Sequence, residues 1–243
     1  MKAPRSNTAD ASLTSIGQAA LGGLLVARLL LAASHPAARE VPVQSPSTNS
    51  LCSTNARTAE GNGITVAVFH RPYVWTSNDG VSWVERQTGN LCRLYDIAFG
   101  NGVFVAVGNE GALVTSRDGN AWTPADSGTD ERLRGIAFGN GRFVAVGYAG
   151  TVITSQDGVR WTARNSGTEE RLQAIIFAHG TFVAVGGGGA ILLSSNGQKW
   201  SRRASGVSMR LERIELHDDL FIASDSAAST VLVSTNGWLW AVR

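Results

Sequence analysis

Tryptophan recurs in this chain at Trp83, Trp122, Trp161, Trp200 and Trp240, at spacings of 39, 39, 39 and 40 residues. Each is preceded by a similar hexapeptide: Ser77-Asn-Asp-Gly-Val-Ser, Ser116-Arg-Asp-Gly-Asn-Ala, Ser155-Gln-Asp-Gly-Val-Arg, Ser194-Ser-Asn-Gly-Gln-Lys and Ser234-Thr-Asn-Gly-Trp-Leu. A period of this length marks a repeat architecture in which each copy is one supersecondary unit that buries its apolar surface only against its neighbours.

Within one copy, Asp96 to Phe99 is an apolar run ended by Gly100-Asn101-Gly102, and Val103 to Val107 is a second, ended by Gly108-Asn109-Glu110-Gly111. Ala112 to Ser116 is a third run, and Ala121 to Pro124, beyond Arg117-Asp118-Gly119-Asn120, is a fourth. The junctions have the composition of tight hairpin turns. Four short antiparallel strands follow. Runs such as Phe104-Val105-Ala106-Val107 are apolar on both faces of a strand, so each sheet must be covered on both sides. Sheets stacked around an axis meet that demand, which predicts an all-β protein, a β-propeller of five four-stranded blades over residues 53–243.

Phe104, Phe143, Phe182 and Phe221 recur beside Ala106, Ala145, Ala184 and Ala223, a large residue next to a small one in fixed register. The first copy departs: Thr65 replaces the Phe, and Glu60 stands where Phe99, Phe138 and Phe177 stand elsewhere. It reads as a cap-like blade or the seam of a ring. Because the repeats begin and end in the same phase, no strand from one end completes a blade at the other. The pattern favours a closed five-bladed ring over an open arc completed by a second chain, and a homo-oligomer stays open.

Residues 1–34 read as a secretory signal: Lys2 and Arg5 precede an apolar stretch from Ile16 to Ala33. The alternative is a retained anchor over residues 16–33, against which Arg28 stands, at about 2.5–3.5 kcal/mol near a span centre. Residues 35–52, with Pro36, Pro42 and Pro46, read as a linker. The expected location is periplasmic or extracellular, with membrane contact only through an uncleaved N-terminal segment. Without residues 1–34 the chain carries 18 basic and 18 acidic side chains, a balance that argues against nucleic-acid binding.

The hexapeptide acid is Asp79, Asp118 and Asp157 in three copies but Asn196 and Asn236 in two. The exchange removes acid–base capacity while keeping an oxygen that accepts hydrogen bonds from turn amides, so the expected role is a structural clamp. The Ser-x-Asp/Asn-Gly-x-x-Trp pattern resembles the Asp-box, or bacterial-neuraminidase repeat, of sialidase-like and sortilin-like propellers. With the Ile-Ala-Phe-Gly-Asn-Gly and Phe-Val-Ala-Val-Gly elements, it looks most like propellers grouped with the photosystem II stability and assembly factors. That resemblance implies a partner-binding face rich in arginine.

Arg93, Arg132, Arg171 and Arg210 lie in the linkers between copies, at intervals of 39. In a propeller these linkers lead to the innermost strands, so the arginines are expected to ring one face and bind carboxylates or an acidic protein surface. Asp130-Glu131 and Glu169-Glu170, just upstream, offer ordinary surface pairing instead. The competing function is a carbohydrate-binding or glycoside-hydrolase propeller, which needs two placed carboxyl groups, or for sialic acid an arginine triad with a tyrosine. Acids at equivalent positions of adjacent copies, and a poor Phe69-His70-Arg71-Pro72 match to the sialidase element, argue against it, so no catalytic residue is assigned. The histidines are scattered and Gly186 to Gly189 reads as a turn, so neither metal nor cofactor is expected. Cys52 and Cys92, in neighbouring linkers, make an expected disulfide, with free thiols the alternative.

Overall fold

The computed structural model describes residues 56–243. The expected signal and linker lie outside the described residues. Twenty strands form five four-stranded antiparallel sheets, each paired in chain order. The first blade comprises β1 (Arg57–Gly61), β2 (Ile64–Val68), β3 (Tyr73–Ser77) and β4 (Val84–Gln87); the second, β5 (Leu94–Gly100), β6 (Val103–Gly108), β7 (Leu113–Ser116) and β8 (Thr123–Pro124). The third holds β9 (Leu133–Gly139), β10 (Arg142–Gly147), β11 (Val152–Ser155) and β12 (Thr162–Arg164). The fourth holds β13 (Leu172–Ala178), β14 (Thr181–Gly186), β15 (Ile191–Ser194) and β16 (Ser201–Arg203), and the fifth β17 (Arg213–His217), β18 (Leu220–Ser224), β19 (Val231–Ser234) and β20 (Ala241–Val242).

The core is divided among the blade junctions. Phe104, Phe143, Phe182 and Phe221 are fully buried, each in a separate apolar cluster between its own blade and the preceding one. Burying a side chain of this size stabilises by about 1.5–3 kcal/mol, so the junctions hold the blades in sequence. The innermost strands run side by side, β1 with β5, β5 with β9, β9 with β13 and β13 with β17, but β17 and β1 have no comparable packing. The five-bladed propeller is therefore present, and of the two expected ways for its ends to meet, the described residues form the open arc. The physical reason lies in the terminal faces, where Thr65 replaces the buried phenylalanine present at all four internal junctions and Glu60 replaces the second ring present at three of them.

The hairpins between third and fourth strands are tied internally. Asp79 Oδ1 accepts the N–H groups of Val81 and Ser82 at 2.8 and 2.7 Å and the Ser77 hydroxyl at 3.0 Å. Asn196 and Asn236 accept the same pair of amides, from Gln198 with Lys199 and from Trp238 with Leu239. Trp122, Trp161, Trp200 and Trp240 each donate Nε1–H to the carbonyl of the hairpin glycine, at 2.9, 3.0, 3.1 and 2.7 Å. A second tie runs between blades. Asn62, Asn101 and Asn140, in left-handed turns, donate Nδ2–H to Arg117, Gln156 and Ser195 carbonyls of the following blade at 2.8, 2.9 and 2.8 Å.

Candidate functional site: a cationic and aromatic face

The inner strands of the second, third and fourth blades are each reached from a linker whose arginine carbonyl is fixed by the turn between the second and third strands of the same blade. Arg93, Arg132 and Arg171 carbonyls accept the N–H groups of Asn109, Tyr148 and Gly187, each at 2.9 Å. The approach is close: a Cβ on Gly147 would lie 2.2 Å from the Arg132 oxygen. Gly187–Gly189 forms one such turn, equivalent to Asn109–Gly111 and Tyr148–Gly150.

Just after the first three Arg-Leu pairs the inner strand slips register against its neighbour, leaving Tyr95, Arg134 and Gln173 out of the ladder. A bulge of this kind re-aims a side chain. These three side chains join up across the second, third and fourth blades: the Arg134 guanidinium lies 4.5 Å from the Tyr95 ring centre, and its Nε donates to Gln173 Oε1 at 3.3 Å. The linker arginines add a second row. Arg132 lies 5.0 Å from the Tyr148 ring and 5.7 Å from that of Tyr95, and Arg171 lies 4.7 Å from Tyr148. Guanidinium over a tyrosine face contributes about 0.5–1 kcal/mol at exposed sites, enough to hold the side chains extended without cancelling their charge.

No side chain among the described residues forms an ion pair with Arg93, Arg132, Arg134 or Arg171. Arg210 behaves differently: its guanidinium is engaged by Glu212, two residues along. In the fifth blade the first strand starts only at Arg213, and Leu211 donates to Gly186 O at 2.9 Å. The structure thus gathers Arg132 and Arg171 around Tyr148 and leaves Arg210 outside that group. Of the upstream acids, Glu169 and Glu170 line an open cavity of about 650 Å³ with Asn165, Gly167, Thr168 and Arg202.

Sequence periodicity missed Tyr95, Arg134, Tyr148 and Gln173, because none of them repeats. The signal available was the reverse: a variable position two residues after each linker arginine. It also missed Arg57, His70 and Asp96. The His70 ring packs edge-on to Tyr95 at 5.1 Å, and partial burial, then Arg134, Arg57 and Arg93, lowers its pKa. Asp96 is buried; burial raises its pKa, opposed by Arg57, the N–H groups of Ile136 and Ile97, and Arg134. Its Oδ2 accepts Ile136 N–H at 2.9 Å and its Oδ1 accepts Ile97 N–H at 3.0 Å. This single carboxyl ties the second blade to the third. Cys52 lies outside the described residues, and the Cys92 thiol donates to Glu110 Oε2 at 3.6 Å.

No family model and no curated protein matches the chain. Solved structures do. YCF48 bound to D1 peptide is 20% identical, with a TM-score of 0.57 over 81% of this chain and 70% of that one. YCF48 from Cyanidioschyzon merolae is 15% identical, with a TM-score of 0.55 over 77% and 70%. A catalytically inactive virginiamycin B lyase from Staphylococcus aureus with quinupristin is 12% identical, with a TM-score of 0.64 over 76% and 67%. This chain has the β-propeller fold. At these identities the likeness is one of fold, and function rests on the site itself.

Proposed function

We propose that this chain is an exported, non-catalytic β-propeller that binds an acidic segment of a protein partner, as an assembly or scaffolding factor. The observation that carries the reading is the face of Arg132, Arg134 and Arg171 interleaved with Tyr95 and Tyr148, its guanidinium groups in no ion pair with a carboxylate among the described residues. Extended guanidinium groups recognise carboxylates in bidentate fashion, and tyrosines supply rigid apolar contact between them. The YCF48 structure holds a D1 peptide, which supports a peptide segment as the occupant here. The Asp-box character of the hairpins supports kinship with the same group of propellers, and residues 1–34 support export to the periplasm or beyond.

The test is affinity capture from the native envelope fraction with the full chain, the Arg132→Ala/Arg134→Ala/Arg171→Ala variant and the Arg210→Ala variant. One protein captured by the parent and by Arg210→Ala, and lost with the triple variant, supports the reading. Retention by the triple variant refutes it.

A further inference from the structure

The four blade junctions share a residue code, with Ala178 and Leu216 in place of its glycine and ring at the fourth. At the end of the inner strand, Gly61, Gly100 and Gly139 receive the Phe99, Phe138 and Phe177 rings of the next blade: a Cβ on any of them would lie 2.1–2.4 Å from ring carbons. Val66, Val105, Val144 and Val183 on second strands, with Val74, Leu113, Val152 and Ile191 on third strands, meet the buried phenylalanine of the next blade. The hairpin glycine of that next blade closes over them. A Cβ on Gly119 would lie 3.2 Å from Val66 Cγ2, and one on Gly158 would lie 2.9 Å from Val105 Cγ2.

The terminal faces keep this code with specific changes. On the fifth blade, Leu220, Ile222, Val231 and Val233 occupy the outward positions and are half-buried, where the fourth blade's Val183, Ile191 and Leu193 are buried. His217 stands at the glycine position, its Nε2 3.1 Å from Asp218 Oδ2 of the same turn, and Asp218 is exposed, so the imidazole still borders the outward face. On the first blade, exposed Glu60 stands at the position of the inserted phenylalanine, and a Cβ on hairpin Gly80 would meet nothing within 4 Å. The two positions that an additional junction would bring together therefore carry an acid and an imidazole in place of a ring and a hole. Sizes compensate too: Thr65 loses the phenylalanine volume, while Leu220 and Ile222 replace the smaller Thr181 and Val183, and Trp75 replaces Val114.

We propose that the outward face of the fifth blade docks on the first blade of a second copy of this chain, with His217 of one copy opposite Glu60 of the other. The contact is head to tail, so it generates a closed pair of copies or a longer assembly, depending on whether the rotation closes. It is independent of the arginine face. Glu215, where Ala98, Ala137 and Ile176 stand in other blades, makes this face more polar than an internal junction, in keeping with reversible association.

Sedimentation velocity on the full chain, from about 1 to 200 µM, is the test. Concentration-dependent association is expected, weakened about tenfold or more by Ile222→Asp or Val233→Asp. His217→Glu and Glu60→Arg each weaken it, and the two changes in one chain restore it. Mixing an Ile222→Asp chain with a Thr65→Asp chain restores one junction and yields a mixed dimer. Circular dichroism checks that each variant is folded. A chain that stays monomeric throughout, association indifferent to Ile222→Asp, or failure of the charge exchange to restore it would each overturn the proposal.

Discussion

Replacing Gly139 by Ala isolates the steric fit that sets one blade against the next. Gly139 is not among the residues in the left-handed region, so alanine is allowed by the backbone and the effect on the folded state is one of packing. The added Cβ would lie 2.1 Å from Phe177 Cγ and 2.3 and 2.4 Å from the two Cδ atoms. Non-bonded carbons settle at about 3.5–4.0 Å, so the ring or the strand must retreat by more than about 1 Å. Overpacking on that scale costs about 1–3 kcal/mol. The smaller conformational entropy of an unfolded alanine offsets about 0.4–1 kcal/mol of this. A net loss of about 1–2 kcal/mol lowers the melting temperature by about 2–8 °C for a domain of this size. The fourth junction indicates the remedy, because it pairs Ala178 with Leu216 at the same positions. Gly139→Ala combined with Phe177→Leu is therefore expected within about 0.5 kcal/mol of Phe177→Leu alone, a strongly non-additive cycle. Urea melts of the four proteins, followed by tryptophan fluorescence, measure it. Simple additivity, or a Gly139→Ala protein as stable as the parent, would refute the knob-in-hole account of the junctions.

Other consequences are read more directly. Asn140→Ala removes the 2.8 Å bond to the Ser195 carbonyl and is expected to cost about 0.5–1.5 kcal/mol in the same melts. Asp79 is held down to about 2 by the amides of Ser82 and Val81 and the Ser77 hydroxyl. Its folded pKa lies below its unfolded one, so its contribution is complete above about pH 4 and is lost as pH falls toward about 2. Asp79→Asn is expected to flatten that part of the acid-unfolding profile while preserving the hairpin, since Asn196 accepts the equivalent amides. Arg134→Gln removes the positive charge that ranks next to burial in lowering the His70 pKa; the imidazole titration, followed by NMR, is expected to move upward. An unchanged titration would place Arg134 away from His70 in solution.

The scaffold was legible because every blade solves the same problem with the same residues. A tryptophan period, glycine-centred turns and strands apolar on both faces leave few architectures open, and blade number follows by counting. Ring closure was less legible, because it depends on a junction whose two faces lie nearly the full length of the propeller apart in sequence. Thr65 and Glu60 stand out as departures, but a polar first blade reads equally as a cap or a seam. The bulges at Tyr95, Arg134 and Gln173 were invisible for a different reason. They change strand register by one residue, and a bulged side chain has no compositional signature until its partners on adjacent blades are known.

Repetition fixes what the chain must do to fold, so whatever it does beyond folding has to appear where repetition fails. The arginines illustrate the point. Their period suggested four equivalent groups, yet equivalence was not what assembled them: Arg132 and Arg171 converge because Tyr148 stands between them, and the equivalent turn positions hold Asn109 and Gly187. Arg210 has the same place in the period but meets Glu212, where the preceding blades carry Gln173, Arg134 and Tyr95. A single non-repeating neighbour thus decides whether a repeated cation stays out of any ion pair among the described residues or is neutralised on the spot. The same reasoning applies to the ends, where Glu60 and His217 replace the most regular contact in the molecule with an oppositely chargeable pair. In both places the departure is charged or aromatic and lies on a surface, where folding alone would have tolerated the repeated residue.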